Sequence, residues 1–284
     1  MEVLMNVLSL FDGMSCGQIA LNKIGIKIDN YFASEIKSHA IAVTQDNFPK
    51  TIQLGDVTKI SSKGLPRIDL LIGGSPCQDF SRANKIQRGI DGEKSGLFWQ
   101  YVRLLKELRP KYFLLENVKM KKEWQELISK ELGVQPVRIN SSLVSGFLRD
   151  RYYWTNIPFD ELPHDKGIKL KDIIESGYVD RDKGLCLLES YSRPLKNPIK
   201  IARRYFKYGF WQVVFKDHET YLKLKDNYEM AQDGDIRYLS KAEMEKAQNV
   251  PENYTRLISR NDSACLLGDG WTVDVIAHIF KGIK

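Results

Sequence analysis

A short apolar run that ends in a glycine and proline turn is the feature that most constrains how this chain can fold. Residues 68–72 read Ile-Asp-Leu-Leu-Ile and predict a buried strand. Two glycines end the strand, and Pro76 then restricts its own backbone and that of Ser75. Such a turn presents the thiol of Cys77 at the carboxyl edge of a sheet, where open α/β folds bind ligands. A lone cysteine is more often a small buried apolar residue, but a core position needs no such turn.

A second apolar run ends in an acid. Residues 112–115 read Tyr-Phe-Leu-Leu and predict another strand, which Glu116 follows directly. The carboxyl ends of parallel strands meet at one edge of a sheet, so we expect Glu116 on the same edge as Cys77.

The first part of the chain has the order strand, glycine turn and helix. Residues 7–11 predict a strand, residues 12–17 contain two glycines, and a helix is predicted from Gln18. This order opens many nucleotide-binding domains, but the absence of GxGxxG disfavours a dinucleotide. Glu35 ends the next strand and could accept hydrogen bonds from ribose hydroxyls, unless it is a solvated surface charge. Asp56 could accept a hydrogen bond from an adenine amino group.

Strands that alternate with helices predict an α/β fold with a mostly parallel sheet. Apolar residues recur on one face of a predicted helix: Leu97, Tyr101, Leu104, Leu105 and Leu108. The polar stretch 78–95 leaves Cys77 directly and predicts a lid over the active site. Later residues predict a capped helix from Ser240 to about Asn249, a turn at 266–271 and a closing helix at 272–280, which could return beside the first strand.

Two arginines precede an aromatic run. Residues 152–154 read Tyr-Tyr-Trp and predict a buried strand, and alternate residues of a strand share a face. Arg149 and Arg151 could therefore both project towards the edge that holds Cys77. A pair of exposed arginines is the alternative, and the pattern does not decide between them.

Between residues 159 and 235 the regular alternation stops. Residues 190–216 contain no Asp or Glu and interleave aromatic with basic residues. The basic residues are Arg193, Lys196, Lys200, Arg203, Arg204, Lys207 and Lys216. We predict a small β-rich insert with a core strand at 211–215, and with Arg203 and Arg204 outside it, where they could contact phosphates.

Composition excludes several classes of protein. The net charge of +7 is compatible with a nucleic-acid partner. No apolar run reaches the length of a membrane span, and residues 1–10 lack the basic start of a signal peptide. The four cysteines are far apart and lack zinc spacing, which favours reduced thiols and no metal site. We therefore expect a cytoplasmic protein without a membrane partner.

Taken in order, these stretches resemble the motifs of the cytosine-5 DNA methyltransferase family. The matching stretches are residues 8–13, 33–35, 73–77, 116–118, 151–154 and 267–271. The pattern is most similar to the catalytic domains of animal de novo DNA methyltransferases. Around Gln78 it is closer to bacterial and phage modification methyltransferases. Phe147 and Asp269 depart from the family pattern, which has glutamine and asparagine there.

The resemblance implies a Rossmann-like methyltransferase domain with helices on both faces of the sheet. Cys77 would attack carbon 6 of a flipped cytosine, Glu116 would be the acid, and Arg151 and Arg149 would hold the base. The methyl donor would be S-adenosyl-L-methionine, bound by Phe11, Asp12, Gly13, Gly17, Glu35, Ile36, Asp56, Val57, Leu97 and Trp271. DNA would be contacted by Gln78, Arg82, Arg203 and Arg204.

The resemblance also implies a division of the chain and a set of partners. Residues 1–158 and 236–284 would form the catalytic domain, and residues 159–235 the target-recognition region. Double-stranded DNA would be the substrate of a monomer in a bacterial or phage-infected cell, and a cognate restriction enzyme is a candidate partner. Three alternatives stay open: a tRNA methyltransferase, a catalytically silent DNA-binding homologue and a small-molecule methyltransferase.

Overall fold

The protein is described by a computed structural model that covers residues 4–75, 96–159 and 161–284. The predicted turn at Pro76 and Cys77, and the predicted lid with Gln78 and Arg82, lie outside the described residues. Contacts divide the chain into two units. The first unit consists of Met1–Ile139, Asp150–Leu162 and Val275–Lys284, and the second of Asn140–Arg149 and Pro163–Asp274.

The first unit is built on a seven-stranded sheet. Its strands are β1 (Met5–Leu10), β2 (Ile28–Ser34), β3 (Ile52–Gln53), β4 (Leu70–Gly74), β5 (Tyr112–Val118), β6 (Val137–Asn140) and β7 (Asp150–Thr155). The order is β3-β2-β1-β4-β5-β7-β6. Strands β1 to β5 pair in parallel, and β7 is antiparallel to β5. The order reverses between β1 and β4, and in such sheets the crevice outside this switch point binds ligands.

Apolar strands and one-sided helices explain this sheet. Nearly every residue of β1, β4 and β5 is buried, as expected for parallel strands covered on both faces. The predicted helical stripe is confirmed, because Tyr101 and Leu104 are buried in the core that Leu97, Leu105 and Leu108 pack against. The helices here are α1 (Cys16–Lys23), α2 (Ser38–Asn47), α3 (Gly96–Leu108), α4 (Lys122–Leu132) and most of α9 (Val273–Phe280). Within the described ranges, no helix is both long and apolar enough to cross a bilayer.

The second unit is mainly helical. Its elements are α5 (Pro198–Tyr208), β8 (Val214–Phe215), α6 (His218–Asp226), β9 (Ile236–Arg237), α7 (Lys241–Ala247) and α8 (Arg260–Asp269). The predicted β-rich insert is therefore wrong: among described residues of 159–235, only Val214 and Phe215 form a strand. Local caps explain the difference, since Asn197 accepts from the backbone of α5 and Asp217 from that of α6.

The C-terminal part follows the prediction only partly. Ser240 and Glu243 form the predicted capping box at the start of α7. The predicted turn at 266–271 is wrong, because residues 266–269 are the end of α8. The contacts group residues 236–274 with the second unit, and the last residues reach the start of β5, where the backbone N–H of Lys284 donates to Tyr112 Oη over 3.1 Å. The division into catalytic and recognition regions remains a prediction.

Candidate active site

The turn after β1 has an unusual backbone. Phe11, Gly13 and Ser15 all have positive φ, between 57° and 60°. The backbone N–H of Asp12 donates to Ser34 O at the end of β2, over 3.1 Å. A left-handed phenylalanine is rare, and such strain concentrates at functional sites. The turn is thus fixed at the switch point of the sheet.

The carboxyl group of Asp12 lies beneath this turn. Tyr31 Oη donates to Asp12 Oδ1 over 2.8 Å, and Ser15 Oγ donates to Oδ2. Burial raises the pKa of Asp12 to about 6, against the opposing hydrogen bonds from Ser15, Ser9 and Tyr31. The sequence motif contains Asp12, but the tyrosine that holds it was not predicted. The available signal was a tyrosine directly before Phe32 and Ala33 in the buried half of β2.

The wild type should lose stability as pH rises, and Asp12→Asn should not show this loss. The folded carboxyl has a pKa of about 6, above its ordinary value of 3.8, so the folded state binds the proton more tightly. The free energy of unfolding should therefore fall between about pH 4 and pH 6, by up to about 3 kcal/mol, and stay lower above pH 6. Asparagine does not titrate. Urea unfolding of both proteins from pH 4 to pH 7 measures this, and parallel pH profiles would contradict it.

Glu35 joins the ends of β1 and β2. Its Oε2 accepts from the backbone N–H of Gly13 over 2.9 Å, and its Oε1 accepts from those of Ile36 and Lys37, each over 2.8 Å. Three backbone donors orient the carboxylate while lone pairs remain for a ligand. The apolar side chain of Ile36 is 75% exposed beside it. Glu35 is therefore a fixed carboxylate of the turn and not a freely solvated charge.

Asp56 lies on the same edge. Ser34 Oγ donates to Gly55 O over 2.7 Å, which joins the end of β2 to the residue before Asp56. Asp56 Oδ1 accepts from the backbone N–H and the hydroxyl of Thr58, each over 2.9 Å. These hydrogen bonds lower the pKa of Asp56. Val57 is buried below it. These contacts join Gly13 to Glu35, and the end of β2 to the segment that carries Asp56.

Gly17, Leu97 and Trp271 were also predicted to bind the methyl donor, and their surroundings differ from those of Glu35 and Asp56. A Cβ at Gly17 would lie 2.3 Å from Ile72 Cδ1 and 2.9 Å from Tyr31 Oη, so glycine is required where α1 packs on the sheet. Leu97 packs against the core of the first unit. Trp271 is 9% exposed and belongs to the second unit.

A buried ion pair lies at the carboxyl end of β5. Glu116 pairs in register with Gly74 of β4, and Arg151 lies opposite Val118 on β7. Arg151 Nε is 2.9 Å from Glu116 Oε1, and the two side chains are 12% and 9% exposed. Removing charges from water is costly unless they are paired and hydrogen-bonded. The structure thus places Arg151 beside Glu116, which is one of the two alternatives that the sequence left open, and the ion pair fixes the orientation of the carboxylate.

Asn117 anchors the residue that precedes the predicted proline and cysteine turn. Its Nδ2 donates to Ser75 Oγ over 3.0 Å and to Ser75 O over 3.4 Å. Both residues are buried. Two peptide links span at most about 7 Å, so Ser75 ties the start of the segment that carries Cys77 to the strand that carries Glu116. Sequence reasoning had not assigned this role to Asn117.

Arg149 has a structural role in place of the predicted contact with a base. Its Nη1 donates to Leu187 O over 3.2 Å and to Gly268 O over 3.0 Å, and its Nη2 donates to Asp269 O over 3.4 Å. The prediction extended strand alternation to Arg149, but β7 begins one residue later. The guanidinium instead joins separate segments of the second unit.

Arg203 and Arg204 have different surroundings. Arg203 is exposed, and its Nη2 lies 3.4 Å from Tyr208 Oη. Arg204 is half-buried with its guanidinium carbon 4.4 Å from the ring centre of Trp211. Of the two, Arg203 is therefore the better placed to contact a phosphate.

The fold is that of solved methyltransferases. DNMT2 of Spodoptera frugiperda matches with a TM-score of 0.72 at 21% identity, over 98% of this chain and 99% of that chain. The methyltransferase EhMeth of Entamoeba histolytica matches with a TM-score of 0.73 at 17% identity, over 99% of each chain. These likenesses confirm the predicted Rossmann-like methyltransferase fold.

Sequence comparison gives a match to one family over part of the chain. Residues 5–129 match the model of the C-5 cytosine-specific DNA methylase family. The orphan methyltransferase M.SPRI of Bacillus phage SPR is 34% identical over 189 residues, which are 61% of this chain and 43% of the relative. The type II methyltransferase M1.ScrFI of Lactococcus lactis subsp. cremoris is 42% identical over 113 residues, which are 40% of this chain and 28% of the relative. The chain spans less than half the length of these relatives.

Proposed function

We propose that this chain is a DNA (cytosine-5-)-methyltransferase that uses S-adenosyl-L-methionine. The observation that carries the proposal is the buried pair of Glu116 and Arg151 next to an anchored Ser75. A carboxyl group, a guanidinium and Ser75, two residues before Cys77, lie at one sheet edge. The description of the matching family model supports the same activity, and the phage and bacterial relatives are named methyltransferases.

The edge formed by β1 and β2 fits the methyl donor. The donor carries ribose hydroxyls and an adenine amino group, and carboxylates accept hydrogen bonds from both kinds of group. Glu35 would hold the ribose and Asp56 the adenine, with the exposed side chain of Ile36 against an apolar face. A Cβ at Gly13 would meet nothing within 4 Å, which leaves space above the turn. When bound, the donor supplies an electrophilic methyl group.

Cys77, Glu116 and Arg151 would then act on the cytosine. Carbon 5 of cytosine is a poor nucleophile. Attack of the Cys77 thiolate on carbon 6 makes carbon 5 part of an enamine, which can take the methyl group. Glu116 would hold a proton at ring nitrogen 3 and so limit the charge that builds on the ring. Arg151 orients that carboxylate and would contact the base. A stacked base cannot be reached, so the target must be flipped out of the duplex.

Labelled donor tests the proposal most simply. Purified protein would be incubated separately with duplex DNA and with tRNA, and bisulfite sequencing would locate the methylated cytosines in DNA. We expect label in DNA, at cytosines within one recurring sequence. Label in tRNA alone, or in neither nucleic acid, would contradict the proposal. The tRNA arm tests the alternative of a tRNA methyltransferase.

The cellular setting follows from the relatives. Curated relatives of this chain come from a Bacillus phage and from Lactococcus lactis. We place the proposed activity in the cytoplasm of a bacterial or phage-infected cell, with DNA as the partner and a cognate restriction enzyme as a candidate second partner.

Glu35→Ala should weaken binding of the methyl donor at least ten-fold, because each charge-assisted hydrogen bond contributes on the order of 1.5–3 kcal/mol. Calorimetry with S-adenosyl-L-methionine and with its demethylated product measures the affinity. Asp29→Ala is the matched control, because Asp29 is an exposed carboxylate at the other end of β2. DNA affinity should stay unchanged in both variants. If Glu35→Ala bound the donor with wild-type affinity, Glu35 would not be part of the donor site.

A further inference from the structure

The turn after α5 exposes an aromatic side chain on a constrained backbone. Gly209 ends the helix with φ of 63°, and Trp211 also has φ of 63°. Phe210 stands between these two left-handed residues and is 58% exposed. A left-handed conformation is uncommon for a bulky residue, and strain of this kind concentrates at ligand contacts.

The inner side of this turn is held by several contacts. Trp211 is 7% exposed, and its Nε1 donates to Ser190 Oγ over 3.0 Å. Its ring centre lies 5.5 Å from that of Tyr191 and 4.4 Å from the guanidinium carbon of Arg204. These contacts fix Trp211 inside the second unit, and Phe210 remains exposed on the outer side.

Basic side chains lie near the ring of Tyr208, two residues before Phe210. Lys200, Arg203 and Lys207 are exposed at positions i, i+3 and i+7 of α5, which places them on one face, here called the basic stripe. Tyr208 is 52% exposed, with Arg203 and Lys207 at 5.9 and 6.0 Å from its ring centre. Residues 190–216 contain no acid, so the whole segment is cationic.

We propose that the aromatic tip, residues 208–210, contacts the bases of duplex DNA through Phe210 while the basic stripe lies on phosphates. This inference rests on the proposed function and makes Phe210 a residue that determines sequence specificity. A cationic stripe beside an exposed apolar ring fits a partner that offers anionic phosphates and apolar base groups on one surface. Phenylalanine contacts thymine methyl groups in the major groove and wedges between base steps in the minor groove.

Three variants separate base contact from phosphate contact. Phe210→Ala should lower affinity for a random-sequence duplex pool, on the order of ten-fold, with an unchanged dependence on salt. Arg203→Ala should flatten the log–log salt dependence by roughly one unit. Leu222→Ala is the matched control: Leu222 is 51% exposed on α6 of the same unit but lies outside the acid-free segment. Its binding should equal that of the wild type.

A methylation map distinguishes this proposal from the proposed function. If the wild type methylates one recurring site, Phe210→Ala should also methylate other sites, and Phe210→Trp should restore the preference. If the wild type methylates no DNA but Phe210→Ala still binds duplex more weakly, the proposed contact of the aromatic tip is supported and the proposed activity is wrong. If Phe210→Ala methylates DNA with unchanged affinity and site preference, the proposed contact of the aromatic tip is wrong and the proposed activity is supported. Loss of binding to tRNA but not to duplex would also overturn that contact.

Discussion

Cys77→Ser is expected to reduce methyl transfer by on the order of 1,000-fold or more, because a serine hydroxyl is a far weaker nucleophile than a thiolate at neutral pH. Binding of the methyl donor and of DNA should persist, since the substitution changes one atom. Turnover with labelled donor and binding by calorimetry would be measured on the same preparation. Loss of binding together with activity would point to a folding defect instead.

The other cysteines provide the matched controls. Cys186 and Cys265 are half-buried, and Cys16 is a buried residue of α1. Replacing Cys186 or Cys265 with serine should leave turnover near the wild-type level. Turnover that survives Cys77→Ser but falls in one of these controls would move the nucleophile to another residue.

Glu116→Gln is expected to lower the rate of methyl transfer about 100- to 10,000-fold, the usual contribution of a general acid. Glutamine keeps the size of the side chain but cannot give up a proton, and it leaves Arg151 beside a neutral oxygen instead of a carboxylate 2.9 Å away. Donor affinity should change little, since Glu35 and Asp56 lie at the ends of other strands. Single-turnover kinetics with saturating donor and DNA measures the chemical step.

Asp150→Asn separates this effect from the loss of any ion pair. Asp150 lies on β7 directly before Arg151 and pairs with Arg138 over 2.6 Å. The side chain of Asp150 is 28% exposed and that of Arg138 is 57% exposed. Such exposed pairs contribute about 0–1 kcal/mol. The control should therefore fold normally and keep its rate. Equal losses of rate in both variants would show that disturbance of β7, and not the acid at Glu116, limits the reaction.

The first unit follows closely from the sequence because its signals are local. Strands buried on both faces read as continuous apolar runs, and this pattern located β1, β4 and β5. The spacing of apolar residues located α3. Glu35 and Glu116 each follow a predicted strand directly, so the sequence also predicted both on the carboxyl edge of the sheet.

The second unit was harder to predict because its aromatic residues have more than one use. Tyr205 and Phe206 fit a strand by propensity, yet both lie on α5, where Tyr205 belongs to a small core and Phe206 packs against it. The caps at Asn197 and Asp217 were readable from the sequence, and they outweighed this propensity. The left-handed backbone of Trp211 has no local signal.

Two site contacts depended on tertiary structure that no local pattern encodes. Tyr31 Oη reaches Asp12 only because β1 and β2 are neighbours in register. Arg149 lies one residue before the strand, where alternation no longer sets the direction of a side chain, and the carbonyl groups it binds come from residues far along the chain. Both cases concern long-range partners, which spacing alone does not identify.

The covalent intermediate tests the central claim most directly. Turnover requires the carbon 5 proton to leave after methyl transfer, and fluorine at that position cannot leave as a cation. Duplex DNA with 5-fluorocytosine at the target should therefore become trapped on the protein, only when S-adenosyl-L-methionine is present. Denaturing electrophoresis would detect the adduct, and peptide mass spectrometry should place it on Cys77 with the methyl group already transferred. An adduct on Cys16, Cys186 or Cys265, or one that persists in Cys77→Ser, would contradict the account.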